Sequence, residues 1–169
     1  RGTRPVGRIS AQIDELHERL YRDATGFFGF LEAENEEQTF HELLSTAEVW
    51  LREQGMVRIR GPFNFSINQE CGLLVDGYDT PPMIMTGHSH PYYAARLTTE
   101  GYQGIKDLLA YRLSTDFTRP ELMKTILNKA AGSARVRPLR RSQLNADLKI
   151  IQDIFEDAWS TNWGFIPFT

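Results

Sequence analysis

The amino-acid sequence predicts an α/β protein in which a mixed sheet is flanked by helices. The main observation is a strand, helix, strand order between residues 25 and 60, which is typical of parallel strands joined by a crossover helix. A second helix-then-strand pattern lies between residues 91 and 113. Hydrophobic residues make up 41% and charged residues 24%, so the 169-residue chain can bury a core. This length suits one domain, or the end of one domain joined to the start of another.

The first elements are predicted from short apolar patterns. Ile9, Ala11 and Ile13 alternate with polar residues, which predicts a half-buried strand. The charged stretch from Glu15 to Ala24 has no clear helix cap, so a loop with one helical turn fits it as well as a helix. The segment from Gly26 to Ala33 is rich in aromatic residues and too short for a helix, which predicts a buried strand.

A helix and a second strand are predicted next. Thr39 and Glu42 have the spacing of a capping box at a helix start, and Gly55 has the left-handed preference of a helix end. The segment from Met56 to Arg60 is predicted to be a strand parallel to the previous one. The apolar face of the helix is predicted to pack on the sheet through Leu43, Leu44, Ala47, Trp50 and Leu51.

The long connection from Gly61 to Pro91 is predicted to be a functional loop, because passive links in compact domains are shorter. Pro91 and Gly101 bracket a short helix ending at Glu100. The segment from Ile105 to Leu113 then has the composition of a final strand.

The pattern changes after residue 113, and three regions are predicted: a first module over 1–115, a connector helix within 116–133 and a new module over 134–169. The connector helix spans Pro120 to Ala131, with Leu122, Met123, Ile126 and Leu127 facing inward. The last region begins with a strand from Ala134 to Leu139. A long amphipathic helix from about Ser142 follows, with an apolar face of Leu144, Leu148, Ile151, Phe155 and Ala158.

Charge and cysteine content narrow the classes of protein. A net charge of -3 and a pI near 5.8 argue against nucleic acid as a partner. No apolar run is long enough for a membrane span, and no signal-peptide core follows the first charges. A single cysteine, Cys71, fits a reducing compartment, so we expect a cytoplasmic protein. The lack of an initiating Met and the ending at Phe168 and Thr169 lead us to expect a piece of a longer protein.

Two motifs carry a resemblance to a known family. The ending Leu97-Thr-Thr-Glu-Gly101-Tyr102 resembles the short helix that precedes the last strands of GNAT-type acyltransferases. The tract from Gly61 to Pro82 is similar to uncharacterised bacterial proteins with two tandem GNAT-like modules. The resemblance covers nearly the whole chain. It implies the back portion of a first GNAT-like module, with an apparently incomplete sheet, and a second module that opens with Arg135 to Leu139 and the helix to Trp159.

The resemblance implies N-acyl transfer, in which a small-molecule amine attacks an acyl thioester. The donor's pantetheine arm would lie between the two predicted parallel strands. Family members hold the coenzyme A pyrophosphate at a glycine-containing helix start. Here the corresponding stretch, Glu34 to Glu42, has four glutamates and no glycine, arginine or lysine. We therefore expect acyl-CoA bound elsewhere, or an acyl carrier protein thioester, as the donor, and no metal. The oligomeric state is open, with a homo-oligomer among the expected assemblies.

Candidate catalytic residues follow from the same resemblance. The tyrosine that often protonates the leaving thiolate is replaced here by Leu97. Tyr93 lies one turn earlier on the same face and is a substitute acid, with core packing as the alternative. Glu32, at the end of a buried strand, is a candidate general base, with a solvated strand end as the alternative.

Candidate substrate-binding residues follow the second parallel strand, where open α/β sheets usually bind ligands. They are Asn64, Asn68 and Glu70, together with Tyr92 on the short helix. Side-chain amides could orient a substrate carbonyl there, and bonds that stabilise a turn are the alternative.

Other classes of function remain as alternatives. His88 and His90 would need Cys71, Asp76 or Asp79 as a third ligand to bind zinc in a metal-dependent hydrolase. Cys71 with either histidine could be a nucleophile and base, although a buried thiol is the simpler interpretation. The acidic turn instead favours a catalytically inactive structural or ligand-sensing module.

Overall fold

The computed structural model describes residues 4–114, 116–133 and 137–168. Within these ranges the chain is a mixed α/β protein with five α-helices and a small open sheet, as the fold class predicts. The chain divides into two compact units. The first contains the residues up to 107 together with 158–168, and the second contains the described part of 108–157.

The first unit contains a three-stranded sheet in the order β1-β2-β3. Its strands are β1 (Gly7–Gln12), β2 (Thr25–Ala33) and β3 (Arg58–Arg60). β1 is antiparallel to β2, and β2 is parallel to β3. The predicted first strand and parallel pair are confirmed, although β3 is shorter than predicted.

A β-bulge interrupts the pairing of β1 and β2. Arg8 pairs with Glu32 and Ser10 pairs with Gly29, so β2 contains one residue more than β1 over this interval. Within it, Phe30 has a φ of +48°, in the left-handed region that non-glycine residues rarely adopt. The bulge therefore reverses which side chains of β2 face the core.

The ambiguous charged stretch contains a helix, α1 (Glu15–Tyr21). Asp14 caps it, since its Oδ1 accepts hydrogen bonds from the backbone N–H of Leu16 at 2.9 Å and of His17 at 3.0 Å. The expectation that this stretch has no clear cap is wrong. Aspartate is a preferred N-cap residue because its carboxylate satisfies otherwise unpaired N–H groups.

The second helix, α2 (Glu37–Glu53), begins before the predicted start at Thr39. Glu36 is the N-cap residue and makes no side-chain capping bond, while Thr39 lies inside the first turn and donates to Glu36 Oε2 at 3.2 Å. The predicted capping box of Thr39 and Glu42 is therefore wrong. Gly55 follows the helix end with a φ of +84°, as predicted.

The core of the first unit lies between the sheet, α2 and the third helix, α3 (Tyr92–Thr99). Most of the predicted α2 face is buried, but Trp50 is 41% exposed, so its predicted packing is wrong. The predicted short helix is confirmed as α3, and Gly101 follows it with a φ of +89°. The buried cluster consists of Phe28, Ala33, Phe40, Leu44, Tyr93 and Leu97.

The predicted functional loop contains a small antiparallel hairpin of β4 (Phe63–Asn64) and β5 (Glu70–Cys71). The predicted strand over 105–113 is wrong, because none of its residues is in a strand. Apolar residues form a strand only where another strand pairs with their backbone, and nothing in the described sheets pairs with this segment. Its large side chains are exposed at Ile105, Leu108, Leu109, Tyr111 and Leu113.

The second unit contains α4 (Glu121–Ala131) and most of α5 (Leu144–Trp159), so both predicted helices are confirmed. The predicted inward packing of α4 is wrong, since Leu122, Met123, Ile126 and Leu127 are exposed. The predicted strand over 134–139 is not formed at 137–139, and 134–136 lie outside the described residues. No helix in the described ranges is long and apolar enough to cross a bilayer.

A buried carboxylate organises the start of α5. Asp147 is 2% exposed, and it accepts bonds from Arg137 Nη1 at 2.7 Å, from Arg140 Nη2 at 2.7 Å and from the Arg140 backbone N–H at 2.9 Å. The side chains of Arg137 and Arg140, then the Arg140 N–H, hold the pKa of Asp147 well below its usual range.

We expect Asp147→Asn to destabilise the start of α5 at neutral pH, because two guanidinium groups lose their carboxylate. A group with a lowered folded-state pKa stabilises the fold above its unfolded pKa of about 3.9, and this contribution is lost as the pH falls further. The difference between variant and wild type should therefore shrink below about pH 4. Hydrogen exchange of the α5 amides across this pH range measures it. The control is Asp153→Asn, whose exposed side chain pairs with Lys149 at 2.9 Å; an equal effect there would contradict the prediction.

Candidate functional site

The candidate site lies along one edge of β2. β2 and β3 pair at only three positions, Thr25 with Arg58, Gly26 with Ile59 and Phe27 with Arg60, and then separate. Beyond that point, polar side chains from other elements bond to the peptide groups of β2. We call the segment from Phe30 to Ala33, with these side chains, the β2 edge.

Asn64 bonds to the β2 edge at the bulge. Its Oδ1 accepts from the Phe30 N–H at 2.7 Å, and its Nδ2 donates to Glu70 Oε2. The backbone approach here is close, because a Cβ at Gly29 would overlap the carbonyl oxygen of Phe63. Asn64 and Glu70, both predicted substrate-binding residues, are thus held together beside β2.

Two tyrosines from α3 bond to the end of the β2 edge. The Ala33 N–H donates to the Tyr93 hydroxyl at 3.0 Å, and the Tyr92 hydroxyl donates to the Ala33 carbonyl at 2.8 Å. Tyr93 is only 6% exposed, and burial, with the neighbouring Tyr93, raises the pKa of Tyr92. A tyrosine oxygen that accepts an N–H bond keeps its own proton for donation. The geometry thus places the predicted acid at the edge, and its role stays a prediction.

The side chains of two predicted site residues do not join this group. The side chain of Glu32 is 68% exposed and pairs with Arg8 at 2.7 Å, beside β1. Asn68 Nδ2 donates to the backbone carbonyl of Ile166 at 3.0 Å. The structure therefore brings Asn64 together with Glu70, and Tyr92 with Tyr93, but not Glu32 or Asn68.

The turn before α2 is acidic, as predicted, but Thr39 does not cap the N-terminus of the helix. Arg96 from α3 reaches this turn, donating to Asn35 Oδ1 at 2.9 Å and lying 3.4 Å from Glu37 Oε2. Arg4 pairs with Glu34 at the same turn. Arginine is thus present beside the glutamates, already engaged with Asn35, Glu37 and Glu34.

The histidines of the loop lie apart from any metal-binding arrangement. His88 Nε2 lies 3.1 Å from the Thr80 carbonyl oxygen, and the His90 ring stacks on Tyr92 with centroids 5.4 Å apart. In the ranges that the structure describes, no three histidine, cysteine, aspartate or glutamate side chains cluster suitably for a metal. Burial raises the pKa of the Cys71 thiol, which disfavours a reactive thiolate.

A pocket that the sequence does not predict lies between α1, β2, β3 and the hairpin. His17, Phe27, Arg60, Phe63 and Trp163 are among its lining residues, and its interior has room for about one water molecule. The Arg60 guanidinium lies over the Trp163 ring, 5.6 Å from its centroid. Because these residues are far apart in sequence, no local motif indicates the pocket.

A histidine and an aspartate are paired at this pocket. His17 is 4% exposed, and its Nε2 lies 3.1 Å from Asp23 Oδ1. Burial alone would raise the pKa of Asp23, but hydrogen bonds with Thr25 and His17 and the charge of Arg60 lower it overall. In the sequence this pair is only a histidine six residues before an aspartate, in a stretch where no helix cap was recognised.

The fold and the β2 edge define a mixed α/β unit with polar side chains along one strand edge. No known protein-family profile matches the chain, and no solved structure matches it. It is 42% identical to Protein YghO of Escherichia coli K12 over 165 residues, which cover 97% of this chain and 42% of that protein. It is 42% identical to the bacterial ceramide synthase of Caulobacter vibrioides over 171 aligned positions, covering 100% of this chain and 44% of that protein. The chain thus spans less than half the length of these curated relatives.

Proposed function

We propose that this chain is part of an N-acyltransferase that moves an acyl group from a thioester to an amine. The observation that carries the proposal is the β2 edge. There β2 and β3 separate, and side chains instead of a neighbouring strand form hydrogen bonds with the peptide groups of β2. The amides of a pantetheine arm can form the same bonds as a neighbouring strand. An incoming arm would therefore replace Asn64 and the two tyrosines as partners of β2.

The proposed chemistry needs few groups from the protein. The amine attacks the thioester carbonyl, and the leaving thiolate takes a proton from Tyr93. Asn64, Glu70 and Tyr92 would orient the substrate. The roles predicted for Glu32 and Asn68 stay predictions, because their side chains do not bond to the β2 edge. The four glutamates at the start of α2 disfavour a pyrophosphate. This supports an acyl carrier protein thioester, or acyl-CoA with its pyrophosphate bound elsewhere.

One relative supports the class of reaction. Ceramides are amides of a fatty acid with a long-chain amino alcohol, so a ceramide synthase joins an acyl group to an amine. The relative with that name is 42% identical over this whole chain. By analogy we propose a long-chain acyl group and an amine acceptor here. The GNAT resemblance supports the same reaction class, and the GNAT fold itself stays a proposal.

The proposal is tested with the full-length protein that contains this chain. Palmitoyl thioesters of acyl carrier protein, phosphopantetheine and coenzyme A are each supplied with a long-chain primary amine, and the amide is measured by mass spectrometry. We expect amide formation, with the carrier protein or phosphopantetheine thioester preferred over palmitoyl-CoA. An alcohol of the same chain length is the control acceptor. Failure of every donor to give amide would sink the proposal.

A catalytically inactive module that binds a ligand or supports its neighbour is the second candidate. It is favoured by the acidic turn, where Arg4 and Arg96 are already paired, and by the bonds that occupy the β2 edge. The same assay separates the two candidates. Thioester binding without amide formation would support the second candidate.

A further inference from the structure

We propose that Phe30 and Phe65 form the contact surface for the dimethyl-substituted end of a pantetheine arm, and that the arm enters the β2 edge at the bulge. This inference rests on the proposed acyl transfer from a thioester, because it assigns the direction in which that thioester lies along β2. It is carried by the exposed aromatic pair, by the bonding groups along the edge and by the charges at its two ends.

The two phenylalanines form an aromatic pair beside the β2 edge. Their rings meet edge to face with centroids 4.8 Å apart, and Phe65 is 66% exposed. Both residues have left-handed backbone conformations, with φ values of +48° at Phe30 and +77° at Phe65, which are costly for bulky side chains. Such conformations persist only where the surrounding structure imposes them, and they are concentrated at binding and catalytic sites. An exposed pair in these conformations therefore favours a binding role over a packing role.

Side-chain hydrogen bonds hold both rings in place. The Phe30 N–H donates to Asn64 Oδ1 at 2.7 Å, and Gln12 Nε2 donates to the Phe65 carbonyl at 2.7 Å. Phe30 is the first residue of the β2 edge, and Phe65 directly follows the residue that bonds to it. The aromatic pair is thus continuous with the first peptide group that an arm would use.

The order of groups along the β2 edge matches the order of groups in the arm. Pantetheine has a dimethyl-substituted carbon at its phosphate end, two amides in the middle and the sulfur at the other end. Phe30 and Ala33 are three residues apart, which is about 10 Å along a strand. This interval has room for the two amides, so one end of the arm lies at Phe30 and the other at Ala33.

The charges at the two ends of the edge select the direction. The acidic turn follows the Ala33 end and keeps a net negative charge, because its four glutamates face two arginines. The bulge end has charges of both signs, with Glu70 bonded to Asn64 and Arg60 in the pocket that Phe65 also lines. A phosphate is therefore repelled less at the bulge end than at the acidic turn.

The same direction brings the sulfur to the predicted acid. With the dimethyl group at Phe30, the thioester lies at Ala33, whose N–H donates to the Tyr93 hydroxyl at 3.0 Å. The reverse direction would leave the sulfur at Phe30, about 10 Å from that end of the strand. The proposed direction is opposite to that of the GNAT resemblance, in which the pyrophosphate is held at the start of the helix.

The first test measures binding of S-hexadecyl-phosphopantetheine, an unreactive thioether, to the full-length protein by calorimetry. Phe65→Gly removes the ring, and glycine adopts a left-handed φ without strain. We expect its Kd to rise about tenfold, since the two methyl groups lose their apolar contact, and Phe65→Leu to recover part of the loss. The control is Phe117→Gly, at a position 57% exposed in the second unit, which should bind as wild type does.

A double-mutant cycle identifies the group that contacts the rings. For an analogue of the thioether that lacks the two methyl groups, Phe65→Gly should change Kd by less than about threefold. An equal loss for both analogues would overturn the inference. If the loss instead disappears when S-ethyl replaces S-hexadecyl, the rings hold the acyl chain and the inference is also wrong.

A second comparison tests the direction of the arm. Glu36→Gln/Glu37→Gln should not change the ratio of the Kd values of S-hexadecyl-phosphopantetheine and S-hexadecyl-pantetheine, because the phosphate lies more than a Debye length of about 8 Å from the turn. A gain above about threefold for the phosphate form alone would place the phosphate at the turn and contradict the proposed direction.

The binding assays separate this inference from the proposed function. Wild-type protein that binds the thioether but forms no amide would contradict the proposed function, and the Kd values would still decide the inference. Wild-type protein that does not bind the thioether would overturn the inference, whatever the outcome of the amide assay.

Discussion

Replacing Gly29 with alanine is expected to push the β4–β5 hairpin away from β2 and to destabilise the protein by about 3 kcal/mol. The reason is steric, because a Cβ at this position would overlap the Phe63 carbonyl oxygen. A flexible side chain could rotate away from a new methyl group, but a backbone carbonyl moves only if the hairpin moves with it. The bond from the Phe30 N–H to Asn64 would then be lost as well.

Denaturant unfolding of Gly29→Ala and of Gly104→Ala measures this effect. Gly104 is the matched control, since nothing lies within 4 Å of its added Cβ. Hydrogen exchange at the Phe30 amide should accelerate in the first variant alone. Equal unfolding free energies in the two variants would show that the close approach is unimportant.

Removing the hydroxyl of Tyr93 is expected to lower kcat for acyl transfer by about 10²-fold or more, because the thiolate would then leave without a proton. The same change removes the acceptor of the Ala33 N–H, which costs about 1–3 kcal/mol of stability. Activity must therefore be measured on folded protein, and the catalytic effect must be separated from the structural one.

An aryl thioester donor makes that separation. Aryl thiolates are stable without protonation, so Tyr93→Phe should transfer an acyl group from an aryl thioester almost as fast as wild type does. A purely structural defect would slow alkyl and aryl donors equally, which would contradict the acid role. Tyr111→Phe, at an exposed position, controls for the loss of a phenol elsewhere.

Local patterns predicted the elements that depend on local interactions. The strand-helix-strand order around α2 and the short helix before Gly101 are both confirmed. The segment over 105–113 was mispredicted because a strand depends on its pairing with another strand, which composition does not encode. The start of α2 was misplaced because Thr39 has a plausible capping side chain, whereas the helix begins three residues earlier, after Glu36, which makes no side-chain capping bond.

Part of the candidate site was also predictable, because it depends on the order of the strands. Asn64 and Glu70 follow the end of a parallel strand, so strand order indicated their neighbourhood. Glu32 was chosen because it lies at the end of a buried strand, but its side chain is exposed and pairs with Arg8 beside β1. The pocket of His17 combines residues separated by more than a hundred positions, and only the folded chain brings Trp163 to Arg60.

Because of the bulge at Phe30, β2 contains one residue more than the stretch of β1 with which it pairs. Phe28 and Ala33 both face the core, although regular alternation would place them on opposite faces. An alignment of this strand with an uninterrupted one must therefore open a one-residue gap at Phe30. Without that gap, Glu32 is scored as a core position and Ala33 as a solvent position. A relative that lacks the extra residue must then carry its apolar side chains in the opposite phase after this point.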